Sequence, residues 1–393
     1  MARLLVNKVQ KSIFIISLFF LSSCDDIHTK DEEYPVLHIY SWAEYIPPAV
    51  LEKFTKETGI SITYDVFENN EALEAKLLIG GKDFDLVFPS ASPFLARHIK
   101  ANLYQKIDKK KLSNYKSLDK KILKIIAKSD PGNNFGIPYV WGTSGIGYNK
   151  KLVKTILGHA PPSSWDILFS PKYNNSLASC GIALIQAPFD VIAPILVYLG
   201  LNPNSSSKED LKKAFLVLAK TRPTIQNFQA ERSAEDLLSG NLCVAQVWSG
   251  NLLEIQQREK EFCRLKHPEK DCTESSIEYI VPLAGAEMWC DCMAIPINAE
   301  HPKNAHKFIN FLLRPEIAAS VTNHLLFANA NKDSKPFIDP ALLKNPILYP
   351  PAKVMKKLFI EKPQKASLER WRTKIFTRIK KKGGEHGQTK KTH

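Results

Sequence analysis

The feature that most constrains the fold is an alternation of apolar strands and amphipathic helices that begins near residue 36. The predicted elements are a strand over 36–40, a helix from Pro47 to Gly59, a strand over 60–67, a helix from Asn69 or Asn70 to Leu78, and a strand over 84–88. Strands and helices in this order predict an α/β fold in which a mainly parallel sheet carries helices on both faces.

The alternation lapses in a glycine-rich stretch, FGIPYVWGTSGIGYN, which covers residues 135–149 and is predicted to be extended. It resumes as a second α/β unit that reaches about Trp289 and includes a central strand over 243–248. A strand near 290–296 then leads into one helix over 303–324. Two α/β units joined by extended crossings predict a cleft, and ligands of such sheets bind at the carboxyl ends of strands.

The N-terminus has the pattern of an export signal. Three basic residues precede an apolar stretch from Ile13 to Leu21, which is too short to span a bilayer. Two serines then lead into Cys24, and this ending resembles the processing site of bacterial lipoproteins. We expect cleavage of residues 1–23, lipid attachment at Cys24 and a tether over 24–35. Asp25 resembles the signal that keeps such lipoproteins on the outer face of the inner membrane. The alternative is an ordinary cleaved signal and an unmodified thiol.

Half of the formal net charge of +14 lies at the two ends of the chain. The signal contributes +3, and the last fourteen residues contribute +4 because they hold five lysines and one glutamate. The other lysines are spread along the chain, which indicates a solvated surface and gives no support to a nucleic-acid partner. Residues 380–393 are rich in glycine and lysine, so we expect a disordered basic tail.

Six cysteines remain after Cys24, and an even number in an exported protein indicates disulfides. Spacing alone leaves fifteen pairings open. Cys263 and Cys272 bracket a short polar insert that a disulfide would close. Cys290 and Cys292 lie on a predicted strand and are either core residues, disulfide partners or, less typically, metal ligands.

The chain lacks the sequence motifs of the main hydrolase and nucleotide-binding classes. It contains no HExxH, GxSxG or GxxxxGK[ST] motif, and the glycines of GTSGIG over 142–147 have the wrong spacing for a dinucleotide loop. These observations favour a binding protein without a cofactor or catalytic residues over an enzyme.

Aromatic, acidic and polar side chains recur where predicted strands and helices end. The candidates are Trp42, Glu44, Tyr45, Ser90, Trp248, Asn251, Trp289, Asp291 and Phe327. Any one of these aromatic residues is more often a core residue than a ligand contact. Together along one cleft, carboxylates and aromatic faces suit an organic cation with apolar methylenes, since a cation–π contact in a desolvated site contributes about 1–2 kcal/mol.

Collinear motifs extend from about Val36 to Ile379. They are LHIYSWAEYIPPAVLEKFTKETGISITYDVFENNEALEAKLL, FDLVFPSAS, PYVWGTSGIGYN, CVAQVWSG, NFLLRPEIA, FANANK and NPILYPPA. Together they resemble the bacterial putrescine/spermidine-binding lineage of periplasmic solute-binding proteins, and the putrescine type most. The resemblance implies a monomeric, two-lobed type II periplasmic binding protein that closes around a polyamine. It also implies delivery of that polyamine to the permease and ATPase of an ABC importer, and a disulfide between Cys180 and Cys243.

The same resemblance implies a division of the chain and a set of binding residues. Lobe 1 is expected over 36–140 plus 290–335 and lobe 2 over 141–289 plus 336–379, with the ligand in the cleft. The implied contacts are Trp42 and Trp248 as aromatic walls, Tyr45 and Ser90 as polar contacts, Glu44 and Asp190 as acidic positions, and Asp291 as the central carboxylate for an amine.

Several positions depart from the pattern of putrescine binders. The departures are Ala43 for Ser or Thr, Asp190 for Glu, Asn251 for Asp, Trp289 for Phe, Phe327 for Tyr, and Glu361 for an apolar residue or Gln. Loss of an Asp at 251 removes a charge-assisted bond of roughly 1.5–3 kcal/mol. Glu361 is either a counter-charge for a third amine or a solvated surface residue. We hypothesise a longer polyamine or a less selective site. The alternatives are a divergent binding protein, or a sensor, for another organic cation or small solute.

Overall fold

A computed structural model of the chain describes residues 33–229 and 232–382. The predicted signal peptide over 1–23, the lipidation site Cys24, the tether up to residue 32 and the tail beyond 382 lie outside the described residues. Within the described part of the chain, no helix combines the length and apolar character that a membrane crossing requires.

Within these residues, ten strands form one mixed sheet. They are β1 Val36–Ser41, β2 Ser61–Val66, β3 Leu86–Val87, β4 Gly136–Asn149, β5 Ile182–Leu184, β6 Asn227–Phe228, β7 Val244–Trp248, β8 Ile277–Ile280, β9 Glu287–Ala294 and β10 Ala328–Asn329. The order is β2-β1-β3-β9-β4-β7-β5-β6, and β8 and β10 pair with β4.

Helices flank this sheet, and their bounds follow the chain. They are α1 Pro48–Thr58, α2 Asn70–Leu78, α3 Ala96–Lys100, α4 Lys120–Ile126, α5 Lys150–Leu157, α6 Asp166–Phe169, α7 Pro171–Leu177, α8 Pro188–Tyr198, α9 Lys208–Thr221, α10 Ser233–Ser239, α11 Ser249–Lys266, α12 Pro302–Leu312, α13 Pro315–Leu325, α14 Pro340–Leu343, α15 Ala352–Met355 and α16 Ala366–Lys382. The predicted α/β class is confirmed.

The first helices begin and end as their sequences predict. Helix α1 has Pro48 at its start, where a missing N–H costs nothing, and it ends at Gly59, whose φ of 72° is left-handed. Helix α2 is capped by Asn69, whose side chain accepts a hydrogen bond from the backbone N–H of Ala72. Pro48, Gly59 and Asn69 therefore fix where these helices start or stop.

The glycine-rich stretch, predicted to be an extended crossing, is a regular strand. Strand β4 is 14 residues long, buried throughout, and pairs with β7, β8, β9 and β10. Its glycines allow close packing: a Cβ on Gly142 would lie 2.5 Å from the Trp289 ring, and one on Gly147 would lie 2.5 Å from Leu252. Glycine therefore marks close approach in this strand rather than flexibility.

Two further predictions need correction. The single helix expected over 303–324 is two helices, α12 and α13, because Pro315 restricts Arg314 to an extended conformation and ends the first helix. Residues 380–382, predicted to belong to a disordered tail, are instead the last residues of α16.

The sheet is parallel at its two outer parts and antiparallel at its centre. Strand β1 is parallel to β2 and β3, and β5 is parallel to β6 and β7. Between these parts, β9 and β4 run antiparallel to each other, paired from Gly136 opposite Ala294 to Ser144 opposite Glu287 with one register shift between Pro138 and Val140. These two strands connect both parts of the sheet.

The core contains one large cluster around β1, β3 and α12, a second around β5, α8 and α9, and a small third cluster around β7 and β8. Along β4 the first cluster ends at Trp141 and the second begins at Ile146. Ile338 and Leu348, which the prediction assigns to lobe 2, pack in the first cluster. The chain from Pro35 onward is still one compact unit, and the lobe boundaries stay a prediction.

Among the described residues, two disulfides close loops between residues 180 and 272. Cys180 and Cys243 are bonded, with 5.5 Å between their Cα atoms, as the resemblance implies. Cys263 and Cys272 are bonded across the short polar insert, with 5.7 Å between their Cα atoms. Cys290 and Cys292 are buried free thiols, and within the described residues no group of three or more His, Cys, Asp or Glu is placed to hold a metal ion.

Candidate functional site

The candidate site is built on one face of β9, at the centre of the sheet. Glu287, Trp289 and Asp291 alternate along this strand, and their side chains therefore share a face. Glu287 and Asp291 are four positions apart along the strand, which places their Cα atoms about 13 Å apart at about 3.3 Å per residue. The face thus presents an acidic group, an indole and a second acidic group in a row.

Asp291 is buried and held by two hydroxyl groups. Tyr45, which follows β1, donates a hydrogen bond of 2.5 Å to Oδ2, and Ser90, which follows β3, donates one of 2.7 Å to Oδ1. Ser90 is itself fixed by Asn70, whose Nδ2 donates to Ser90 Oγ and whose Oδ1 accepts from Ser90 N, both at 3.0 Å. Strands β1 and β3 thus each supply one donor to a carboxylate on β9.

Burial sets the protonation of this first group. Removal from water raises the pKa of Asp291 to about 6, although the Tyr45 and Ser90 hydrogen bonds lower it. Burial and the neighbouring Asp291 charge raise the pKa of Tyr45 well above its usual value, so the phenol stays a neutral donor. No basic side chain pairs with Asp291 among the described residues.

Trp42 is fixed beside this group. Its Nε1 donates to the Phe88 carbonyl at 3.0 Å, and its own carbonyl accepts a hydrogen bond of 2.8 Å from the Tyr64 hydroxyl. The indole packs edge-on against Phe67 at 4.6 Å and lies 6.4 Å from the Tyr45 ring. The side chain is half-buried, as an aromatic wall requires.

Trp289 and Phe327 form a second aromatic surface. Their rings meet edge-on with centroids 4.8 Å apart, and Trp289 lies against the backbone of Gly142. A Cβ on Gly250, at the start of α11, would lie 2.2 Å from the Phe327 ring, so glycine is needed there. The buried Trp289 Nε1 has no hydrogen-bond partner within the described part of the chain.

A second acidic group lies at the other end of β9. Ser144 on β4 is paired in register with Glu287 and with Trp248, and its hydroxyl lies 3.2 Å from Asp190 Oδ1 and 3.3 Å from Glu287 Oε2. Asp190 stands in the first turn of α8 and accepts a further hydrogen bond from the Trp248 side chain. Strands β4 and β9 and helix α8 therefore bring the carboxyl groups of Asp190 and Glu287 to the Ser144 hydroxyl.

The second group favours one bound proton. Asp190 and Glu287 both approach the Ser144 hydroxyl, and two negative charges so close together in a buried site repel each other. Burial and the Asp190 charge raise the pKa of Glu287 well above its usual value, and burial also raises the pKa of Asp190. We therefore assign the proton to Glu287.

Glu361 borders this second group but has its own counter-ion. It is buried and lies 2.9 Å from Arg372 of α16, which corrects the alternative that it is a solvated surface residue. Burial raises the pKa of Glu361 to about 7, and the Arg372 guanidinium partly offsets that rise. Arg372 also stacks over the Phe189 ring at 5.3 Å.

The structure does not bring every predicted residue into these groups. Glu44 is exposed in a turn with a φ of 53°. Asn251 is half-buried in the first turn of α11. Ala43, at which the resemblance implies a hydroxyl, is also exposed.

Sequence reasoning missed three side chains that shape the site, namely Glu287, Asn70 and Arg372. Glu287 could have been predicted from its spacing, because alternate residues of a strand share one face and Glu287 alternates with Trp289 and Asp291. The sequence indicates Asn70 only as a helix cap. Arg372 lies on a helix with many basic residues, and the sequence pattern does not show which of them is buried. The arrangement as a whole suits a linear organic cation that has an ammonium group at each end.

Known proteins share this architecture and much of the sequence. Residues 78–349 match the family model of a bacterial extracellular solute-binding protein. The chain is 42% identical over 356 residues to the putrescine-binding periplasmic protein PotF of Escherichia coli (strain K12), covering 90% of this chain and 94% of the relative. It is 42% identical over 346 residues to the putrescine-binding periplasmic protein SpuD of Pseudomonas aeruginosa (strain UCBPP-PA14), covering 88% and 92%.

Similarity extends to solved structures. The spermidine/putrescine ABC transporter substrate-binding protein PotD of Streptococcus pneumoniae superposes with a TM-score of 0.74 at 27% identity. The match covers 88% of this chain and 98% of that structure.

Proposed function

Because the chain belongs to the bacterial extracellular solute-binding proteins, we propose that it binds a polyamine in the periplasm and delivers it to an ABC importer. The relatives at 42% identity are putrescine-binding proteins, and they are covered almost completely. The protein acts by binding and release, without bond chemistry.

The observation that carries this proposal is the unpaired buried carboxylate of Asp291. Hydroxyl donors satisfy its oxygens, but no cation within the described residues balances its charge. A buried carboxylate without a counter-ion is costly, and an ammonium group of a ligand supplies the missing charge. Trp42 and Trp289 supply the aromatic faces for the methylenes.

Binding contacts come from both parts of the molecule. Tyr45, Ser90 and Trp42 belong to the part around the first core cluster, whereas Asp190 and Trp248 belong to the other. A ligand that touches both parts stabilises the closed arrangement only by binding it better than the open one. We propose the same set of contacts as the basis of cleft closure.

The cellular setting is part of the proposal. Cys24 carries a lipid that holds the mature protein at the outer face of the inner membrane, and residues up to 35 form the tether. The protein works as a monomer that meets its permease and ATPase complex in the periplasm. Labelling with radioactive palmitate, with Cys24→Ser as the control, tests the anchor, and absence of label would remove it.

The preferred polyamine follows from two departures from the pattern of putrescine binders, at positions 251 and 361. Asn251 lacks the charge of the Asp in putrescine-preferring relatives, and Arg372 already neutralises Glu361. We propose that spermidine or a similar longer amine binds at least as well as putrescine.

The test is the identity and affinity of the ligand. Native mass spectrometry of the purified protein identifies what copurifies, and calorimetry with putrescine, spermidine, cadaverine and agmatine ranks the amines. We expect a bound polyamine with a Kd of about 1 μM or lower, which corresponds to about −8 kcal/mol. A copurifying ligand that carries no amine, together with no heat from the four amines, would contradict the proposal.

A further inference from the structure

Glu287 has no role in the binding set that the sequence predicted, yet its position is that of a ligand contact. It shares one face of β9 with Trp289 and Asp291, and its register partner Ser144 touches both Glu287 and Asp190. The side chain is 6% exposed, so its charge is not a solvated surface charge.

Among the described residues, no ion pair joins Glu287 to a basic side chain. The charged groups that face Glu287 are Asp190 from α8 and Glu361 from the segment before α16. Arg372 of α16 is paired with Glu361 at 2.9 Å. A proton on Glu287, favoured by burial and by the Asp190 charge, therefore takes the place of a counter-ion between Asp190 and Glu287.

We propose that Glu287 determines specificity by holding, with Asp190, the far ammonium group of a linear dication whose near ammonium group lies at Asp291. The methylenes then cross the Trp289 indole, which lies between the two acidic groups on β9. This inference rests on the proposed function, and it names the ligand class as alkylamines with two or more ammonium groups.

Proton release is the consequence that separates this role from a structural one. An ammonium group donates hydrogen bonds to both carboxylates, so it replaces the shared proton, which leaves to buffer. The bonds balance: the Glu287 O–H bond breaks, the proton goes to solvent, and the ligand N–H groups replace it as donors. A cation with one ammonium group fills only the Asp291 end and leaves this proton in place.

The test compares Glu287→Gln with the wild-type protein on butylamine, putrescine and spermidine at pH 7. Affinities come from calorimetry or from competition, and proton release comes from repeating the titrations in two buffers of different ionisation enthalpy. We expect the substitution to weaken putrescine and spermidine at least tenfold and butylamine less than threefold. We also expect the extra proton released by putrescine relative to butylamine to disappear.

Glu278→Gln is the matched control. Glu278 is an exposed carboxylate on β8 that accepts a hydrogen bond from the Tyr148 hydroxyl, away from the site. Asp190→Asn is the second variant and is expected to show the same selective loss, so one of the two variants suffices if the other does not fold. Equal weakening of butylamine and putrescine, or no change in either, overturns the role of Glu287. Failure of the wild-type protein to bind any of the amines instead overturns the proposed function itself.

Discussion

The two ends of β9 stabilise buried carboxyl groups in different ways. At Asp291, two hydroxyl groups donate to a single carboxylate, and each hydroxyl is anchored on a different strand end. At Glu287, two carboxyl groups meet at one hydroxyl, and burial together with the Asp190 charge raises the pKa of Glu287 well above its usual value. The first end is a preformed receptor for positive charge, while the second must lose a proton before it attracts a cation.

This difference teaches that similar acidic residues in one cleft need not contribute equally to recognition. A carboxylate with fixed neutral donors keeps its geometry whether or not a ligand is present. A proton-sharing pair changes its net charge by one unit on binding, so it responds to the second charge of a ligand. The Asp291 end therefore recognises one ammonium group. The Glu287 end recognises whether a second ammonium group lies at the right distance from the first.

The largest expected effect comes from removing the cation that borders the second end. Arg372→Met leaves Glu361 buried and unpaired beside Asp190 and Glu287, and we expect the free energy of unfolding to fall by about 3 kcal/mol. Urea denaturation at pH 8 measures this change. Arg258→Met, which breaks a surface pair with Glu235, is the control and should cost under about 1 kcal/mol.

The double variant Arg372→Met with Glu361→Leu should recover most of that stability, because no unpaired charge remains. If Arg372→Met is as stable as the wild-type protein, the ion pair does not stabilise this end. The Glu287 end would then differ from the Asp291 end in its proton alone, and not in having a stabilising ion pair beside it.

The next effect concerns the first end. We expect Asp291→Asn to weaken polyamine binding by about 2 kcal/mol or more, since the amide keeps the shape of the side chain but removes its charge. Calorimetry measures the affinity, and Asp271→Asn on the exposed insert serves as the control. Unchanged affinity would remove Asp291 from the site.

A smaller effect tests the surface between the two ends. We expect Trp289→Leu to weaken putrescine by about 1–2 kcal/mol, because leucine retains apolar contact but lacks a π face. The same substitution should weaken butylamine less, since a short monoamine leaves most of the indole uncovered. Equal losses for both amines would show that the indole does not discriminate length.

The sequence predicted most of the fold and about half of the residues that form the Glu287 end of β9. Alternation and end signals predicted α1, α2 and β1, because Pro48, Gly59 and Asn69 act on their own neighbours in the chain. Local pattern did not predict β4, since its glycines are selected by contacts with Trp289 and other distant residues. A glycine-rich sequence looks flexible until the neighbouring strands are known.

The site was predictable where it follows the family and less so where it departs. Tyr45, Ser90 and Asp291 were predicted, and the structure brings them together. The pairing of Glu361 with Arg372 could not be foreseen, because it depends on how α16 packs against the second core cluster. Glu287 was overlooked because the resemblance assigns it no role.

The smallest expected effect is a pH dependence of the first end. The pKa of Asp291 is raised to about 6 from an unfolded value of 3.8, so this group stabilises the ligand-free protein fully below pH 3.8. That contribution is lost as the pH rises through about 6. A ligand cation favours the ionised form of Asp291. A monoamine such as butylamine, which leaves the proton at the Glu287 end in place, should therefore bind about tenfold more tightly at pH 7 than at pH 5.

Asp291→Asn isolates this group from the other carboxylates. The stability of the ligand-free variant relative to the wild-type protein should increase with pH through about 6, as measured by thermal unfolding. A constant difference across this range would contradict the raised pKa.

The hydrogen-bonded ladder between β4 and β9 has a consequence for how occupancy can be observed. It crosses from one core cluster to the other, and it also carries Ser144, Glu287 and Asp291. Any change in the angle between the clusters twists this ladder, so the backbone that flexes is the backbone that presents the acidic groups. Deuterium uptake at the amides of 140–146 and 287–291 should therefore slow when ligand binds, which gives a direct, label-free measure of the fraction of protein that is occupied.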